Sequence, residues 1–283
     1  MRVTHEWNNE TATIRVEGLS TAVRICHLTD PHTINIDQRD TSWLEATKEA
    51  CEANAYRNDG FARMMASTDL LDADLIALTG DLANFPSHAA VDFIGKLVAQ
   101  AKTPVLFTGG NHDSTFPGQQ CTAARRASWW SRWDAVFPGD RACSRHELGD
   151  LQLLLVDNAN YQVDGRQLAF LQEHLETGPT VLLSHIPISL PTLRPAVIEN
   201  LQRPLLVADP NWPEEERANV GNIPDTPETL EFVRLVMESP NLVASLCGHV
   251  HIPHADALNT RAVQYVGGPA FDGYCRLFDF QPL

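Results

Sequence analysis

No stretch of the 283-residue chain approaches 18 uncharged apolar residues, and its start carries Arg2, Glu6, Glu10, Arg15 and Glu17 instead of a basic segment followed by an apolar run. Neither membrane insertion nor export is expected, and a cytoplasmic location is. The six cysteines (Cys26, Cys51, Cys121, Cys143, Cys247, Cys275) lack CxxC spacing, which predicts free thiols in a reducing compartment, mostly in the core. Cations are scarce: 21 Lys and Arg stand against 36 Asp and Glu, a net charge of −15. A surface of that sign repels a phosphate backbone, so neither duplex nucleic acid nor an anionic membrane is an expected partner. No Gly/Ser or Pro linker and no internal repeat divides the chain, which predicts a single domain over 1–283.

What is present is a recurring unit: a short apolar run ending in a polar cluster, followed by a segment of helical spacing. Val23 to Leu28 leads into Thr29-Asp30-Pro31-His32, and Leu75 to Leu78 into Thr79-Gly80-Asp81. Val105 to Phe107 leads into Gly109-Gly110-Asn111-His112-Asp113, Val181 to Leu183 into Ser184-His185, and Leu242 to Leu246 into Gly248-His249-Val250-His251. Helices are predicted behind caps at Ser87, Asp164 and Thr226, the last with Pro227 at its first position. This is an α/β pattern, in which ligands bind beyond the carboxyl ends of the strands and distant clusters converge. Thr11 to Val16, Ala262 to Val266 and Gly273 to Phe280 are expected to form a second sheet packed on the first. Three excursions, near 33–59, 114–145 and 186–225, are candidate lids and substrate walls.

The clusters offer Asp30, His32, Asp81, Asn111, His185, His249 and His251, seven oxygen and nitrogen donors without a thiolate. That set suits two borderline divalent ions such as Mn, Fe, Zn or Co and is too rich in nitrogen for Ca or Mg. An aspartate between two ions bridges them with both oxygens at a separation of about 3.5–4 Å, and Asp81 is the natural bridge. In an extended Asp-x-His or His-x-His both side chains point the same way, so one step delivers two ligands. His112 follows a ligand directly and is expected to point away from the metal toward substrate as a catalytic group. Asp113 beside it would orient or charge the imidazole, unless the two merely brace the site.

Other residues read as structural. His27 reads as a satisfied strand residue, His254 as part of a solvated loop and Cys247 as a small buried hydrophobe. Trp129 and Trp133, among Arg125, Arg126 and Arg132, read as core packing in preference to base stacking. Asp209 to Arg217 reads as an exposed loop, with a cap over the metal site or an oligomer contact as the alternatives, and Arg194 and Arg203 are candidate phosphate or substrate contacts.

These motifs, in this order, resemble the calcineurin-like metallophosphoesterases: Asp30-x-His32, Gly80-Asp81, Gly110-Asn111-His112-Asp113, a lone His185 and Gly248-His249-Val250-His251. Together they span about 220 of the 283 residues. The resemblance implies an α/β fold, a two-sheet β-sandwich flanked by helices, and a centre of two divalent or mixed-valence metal ions. It implies Asp30, His32, Asp81 and His251 on one ion, and Asp81, Asn111, His185 and His249 on the other. In-line attack on phosphorus by a metal-bridging hydroxide is implied, with His112 near the leaving group. Leu82-Ala83-Asn84 departs from the Asp-Arg-Gly of protein Ser/Thr phosphatases and dinucleoside tetraphosphatases, and the tyrosine ligand of purple acid phosphatases falls at Asn84. Lipid A pathway hydrolases have Arg where this chain has His112, and large extracellular nucleotidases carry a further domain. By elimination, the chain resembles the small bacterial-type phosphodiesterases, including the cyclic-nucleotide phosphodiesterase-like group. The expected substrate is a small-molecule phosphate ester, nucleotide-like or another small diester. The alternatives are a phosphomonoesterase with the same centre and a metal-bearing scaffold without turnover; the oligomeric state stays open.

Overall fold

A strand that is apolar on both faces must be covered on both, and the alternation of side chains decides which neighbour covers which residue. The computed structural model describes residues 1–219 and 224–283, so 220–223 of the third excursion lie outside the described residues. The strands are β1 (Val3–Trp7), β2 (Thr11–Val16), β3 (Val23–Leu28), β4 (Leu75–Leu78), β5 (Val105–Phe107), β6 (Cys143–Leu148), β7 (Leu151–Val156), β8 (Thr180–Leu183), β9 (Leu242–Cys247), β10 (His254–Ala257), β11 (Val263–Val266) and β12 (Arg276–Pro282). The helices are α1 (Leu44–Asn54), α2 (Tyr56–Thr68), α3 (His88–Gln100), α4 (Ala123–Trp133), α5 (Gly165–His174), α6 (Leu193–Leu201), α7 (Glu214–Asn219) and α8 (Pro227–Glu238).

Two six-stranded mixed sheets, ordered β1-β2-β12-β3-β4-β5 and β10-β11-β9-β8-β7-β6, pack face to face. Ile25, Ala77, Leu153, Val181, Leu183, Leu246, Tyr265, Phe278 and Phe280 fill the interior between them. Their alternating neighbours point outward: Cys26, Leu28, Ile76 and Leu78 pack against Phe61 of α2, Ile94 of α3 and Trp133 of α4. Leu154, Val156 and Leu182 do the same against Leu171 of α5, Val197 of α6 and Phe232 of α8. Each such fully buried large side chain contributes about 1.5–3 kcal/mol. The predicted caps are present: Ser87 accepts from the Ala90 amide, Thr226 from Thr229, and Asp164 forms a reciprocal box with Gln167.

One expectation about the sheets is overturned. The five runs that end in polar clusters do not share a sheet; β3, β4 and β5 lie in one, β8 and β9 in the other. The remaining strands join both: β2 and β12 extend the first sheet, β11 the second. Runs apolar on both faces carry no mark of which partner they pair with, so their sheet membership is decided by tertiary packing.

The segment from Asp209 to Arg217 is also not an exposed loop. Asp209, Trp212 and Arg217 are buried while Glu214 and Glu215 face outward. Arg217 donates to the Asp209 and Trp212 carbonyls, and Arg194 donates to the Asp209 carboxylate at 2.7 Å, which removes Arg194 from the substrate contacts. Trp133 is core, Trp129 packs on Phe116 and Arg126 pairs with buried Asp157, so the Trp/Arg stretch is packing, as expected. His254 opens β10 and contacts Thr192 at 3.1 Å, where a solvated loop was expected.

Candidate metal centre

The carboxyl ends of β3, β4, β8 and β9 meet where the two sheets abut, and hydrogen bonds tie the sheets together there. His185, after β8, donates Nδ1–H to the carbonyl of Thr79, after β4, at 2.7 Å. The His249 amide, after β9, donates to Asp30 Oδ2, after β3, at 2.9 Å, and Thr29 Oγ1 donates to the same oxygen at 2.7 Å. Asn158 holds the start of the His185 loop by accepting from the amides of His185 and Ile186.

The ligand-bearing turns are not extended. Asp30, His32, Asp81, His249 and His251 have φ of 53°, 43°, 52°, 72° and 56°. Each sits in the left-handed region at a cost of about 1–3 kcal/mol. The expected period-two convergence is therefore replaced by left-handed turns, pinned by the bonds Asp30 N–H to Gly80 O and His32 N–H to Asp81 O, both 3.0 Å. Gly80 itself has φ +97°, and a Cβ there would press into the His185 ring, 2.7 Å from Cγ. A Cβ on Gly110 would collide with the Asp81 carboxylate.

Three overlapping groups of donor atoms result, and the one made by His32, Asp81 and His112 lies between the other two. Asp30, His32 and His251 form one, with His32 Nε2 to His251 Nε2 at 3.1 Å, His251 Nε2 to Asp30 Oδ1 at 3.3 Å and His32 Nε2 to Asp30 Oδ1 at 3.7 Å. Asp81, His185 and His249 form the other, with His185 Nε2 to Asp81 Oδ2 at 3.2 Å and His249 Nδ1 to His185 Nε2 at 3.3 Å. Ligands about 2.0–2.1 Å from a tetrahedral ion stand about 3.3–3.4 Å from one another, so these separations fit first-row divalent ions. Asp30 Oδ1 and Asn111 Oδ1 are buried without a hydrogen-bond partner, an arrangement costly in a protein interior unless a cation or proton meets them. The residues present fit a pair of ions.

Asp81 joins the groups through one oxygen. Its Oδ2 lies 3.2 Å from His185 Nε2 and 3.7 Å from His32 Nε2, whereas Oδ1 accepts the His112 amide at 2.8 Å. Bridging by both oxygens, as the sequence suggested, is not the geometry found.

Protonation favours the same reading. Burial alone would raise Asp30, but the His251 and His32 rings facing it, and the charge of His185, hold it well below the usual carboxylate range. Burial likewise opposes ionisation of Asp81, which nearby His185 and His112 outweigh. Burial pushes His32 down to about 4 and His249 to about 3, so both rings stay neutral with a lone pair to give. Burial would lower His185 too, but the Asp81 carboxylate, with Asp30 and the Thr79 carbonyl, outweighs it and raises the ring to about 10, which favours a proton between nitrogen and oxygen in the bare protein.

A cleft of about 310 Å³ opens over the centre, lined by Asp81, Asn111, His112, His249 and His251 on the polar side and by Leu201 and Leu205 on the apolar side. Thr115, Gln119 and Cys121 of the second excursion and Leu201 and Leu205 of the third are walls, as expected; no described residue of the first lines it. No Lys or Arg is among the lining residues. Arg203 is exposed between the two wall leucines.

His112 lines the cleft, but it does not turn away from the cluster, since one of its ring nitrogens falls within 4.8 Å of donor atoms of both His32 and Asp81. Its Nδ1–H donates to the Asn84 carbonyl at 3.0 Å. Asp113 does not orient it: Asp113 Oδ1 accepts from the Ala83 amide and Oδ2 from the Gly110 amide, so the carboxylate braces the loop beneath. Burial, then the charge of Asp81, push Asp113 up to about 8 against those two bonds. His27 is a satisfied strand residue, 2.7 Å from Thr79 Oγ1, and Cys247 is buried with its thiol pushed up to about 11 by burial.

Two participants escaped the sequence reading, Asn158 and Tyr161, whose hydroxyl lies 2.9 Å from His249 Nε2. A signal was there: Leu151 to Val156 is a sixth apolar run, ending in Asp157-Asn158. Its polar end contains no histidine, so it does not stand out beside the other five.

A sequence model described as calcineurin-like phosphoesterase matches residues 23–253. A Fibrobacter succinogenes protein named a "probable cyclic nucleotide phosphodiesterase" is 28% identical over 123 residues, 43% of this chain and 44% of its own length. A Moraxella catarrhalis protein of the same name is 35% identical over 89 residues, 31% of each chain. Both alignments thus span less than half of the relative. A dimetal phosphatase from Danio rerio shares the fold with a TM-score of 0.56, at 9% identity and 88% coverage of both chains.

Proposed function

The chain belongs to the calcineurin-like phosphoesterase family, and from that premise we propose that it hydrolyses phosphodiesters of nucleotide-like or other small-molecule kind with the help of two divalent ions. The observation that carries the metal-dependent part is Asp81 Oδ2 standing between the two donor groups, 3.2 Å from His185 and 3.7 Å from His32. Asp30, His32, Asp81 and His251 would hold one ion, and Asp81, Asn111, His185 and His249 the other. Bound there, Mn, Fe, Zn or Co would polarise a phosphoryl oxygen and activate a water as nucleophile.

The chain's own groups do the rest. Asn111 offers an uncharged oxygen, which adds a ligand without repelling an anionic ester. Asn84 keeps a proton on His112 Nδ1, so Nε2 is the atom that would first take up a proton and then pass it to the leaving oxygen. Leu201 and Leu205 provide an apolar wall for the organic part of the ester. Diesters are favoured over monoesters by the absence of Lys and Arg among the lining residues: a diester carries one negative charge and a monoester close to two at neutral pH. The relatives named as cyclic nucleotide phosphodiesterases support a diester as well.

The test is hydrolysis of bis(p-nitrophenyl) phosphate beside p-nitrophenyl phosphate on Mn-loaded protein, with Asp81→Asn as the control. Faster turnover of the diester, abolished by the substitution, is expected. A preference for the monoester would transfer the assignment to the phosphomonoesterases.

A further inference from the structure

We propose that Tyr161 is a positioning residue that anchors His249 through Nε2 and so holds its Nδ1 toward the second ion. The inference rests on the two-ion reading above. His249 meets the cluster through Nδ1, 3.3 Å from His185 Nε2, and meets the Tyr161 hydroxyl through Nε2, at 2.9 Å. A neutral imidazole carries one proton, and a ring that ligates through Nδ1 must carry it on Nε2. Tyr161 Oη is then the acceptor of the Nε2–H bond, which fixes the plane of the ring. His185 uses the reverse arrangement, Nδ1–H on the Thr79 carbonyl with Nε2 inward. The two histidines of this group thus present different nitrogens because their outer partners lie on different atoms.

Tyr161 is built to stay in place. It has φ +65°, an uncommon conformation for a bulky side chain, and its amide donates to the Asn158 carbonyl at 2.8 Å. Its ring is buried and meets the edge of buried Trp212 at 5.1 Å between centroids, with Ile186 and Val207 beside it. Arg217 folds the Trp212 segment inward by its bonds to the Asp209 and Trp212 carbonyls. The part of the third excursion that packs inward therefore backs the tyrosine that backs the histidine. Burial raises the phenol further above its ordinary range, so it remains a neutral hydroxyl.

The experiment compares wild type, Tyr161→Phe, His249→Ala and the double variant by metal titration against a competing chelator. Phe keeps the ring on Trp212 and removes only the oxygen. Tyr161→Phe is expected to weaken one ion by about 10- to 100-fold and leave the other at its wild-type affinity. In the His249→Ala background the same substitution is expected to add nothing, because the hydroxyl acts through that ring. Unchanged affinity for both ions, equal weakening of both, or an additive loss in the double variant would overturn the proposal while leaving the two-ion centre intact. A wild-type protein that binds fewer than two ions removes the centre itself and the proposal with it. Nitrogen NMR of the Zn-loaded wild type gives a check without any substitution: a proton on His249 Nε2 supports the assignment, and a proton on Nδ1 contradicts it.

Discussion

Asp81 and His185 face each other with a carboxylate oxygen and a ring nitrogen 3.2 Å apart, while the other ring nitrogen of His185 is committed to the Thr79 carbonyl. A neutral ring in that tautomer aims a lone pair at a buried carboxylate, which repels it unless a cation or proton lies between. That contact, joining the end of β4 to the end of β8, is what makes the junction of the two sheets a candidate cation site.

His185→Ala or Asn111→Ala is expected to remove the ion on that side and leave the ion held by Asp30, His32 and His251. Elemental analysis should fall from two ions per chain to one. An unchanged stoichiometry would contradict the division of ligands.

His112→Ala is expected to keep both ions and slow diester turnover by about 10²–10⁴-fold. The loss should shrink as the leaving group becomes more acidic, because such groups need no proton. A loss independent of leaving group, read from a series of substituted phenyl esters, would make His112 a binding group instead.

Gly80→Ala forces a side chain into a left-handed turn and against the His185 ring. The thermal midpoint should drop, by more than the backbone strain of about 1 kcal/mol alone would cause. Metal titration should show the weakening concentrated on the ion that His185 holds.

The metal-free protein should be most stable near pH 6.5. His27 and His249 are held down to about 3 and His32 to about 4, foremost by burial, so between pH 6.5 and 4 the unfolded chain binds protons that the folded chain does not. Stability is lost there as pH falls, by about 1.4 kcal/mol per pH unit for each proton. His185 is raised to about 10, so its contribution is complete below pH 6.5 and is lost as pH rises through 10. Asp113, pushed up to about 8, likewise loses its contribution as pH rises through 8, so adding Mn or Zn should remove the His185 part of the alkaline loss, since the ion takes the place of the His185 proton. Denaturant titrations at a series of pH values, with and without metal, read both limbs.

Much of the centre was legible because core packing gives no reason for Asp, Asn and His to follow five apolar runs. The helices were legible from Ser87, Asp164 and Thr226, whose side chains cap where their types and positions predict. The path by which the ligands converge was not. Asp30 precedes Pro31, which favours an extended backbone, yet it has φ 53° because Gly80 O and His249 N bind it from two other loops. Tyr161 and Trp212 were hidden for a related reason: their roles depend on partners far away in sequence, and Trp212 sits among prolines and glutamates that disguise an inward-facing side chain.

The most direct test of the account is anomalous diffraction from crystals loaded with Mn. Two peaks flanking Asp81 Oδ2, about 3.5–4 Å apart, with Asp30, His32 and His251 around one and Asn111, His185 and His249 around the other, are expected. A single peak, or none at Asp81, would contradict it.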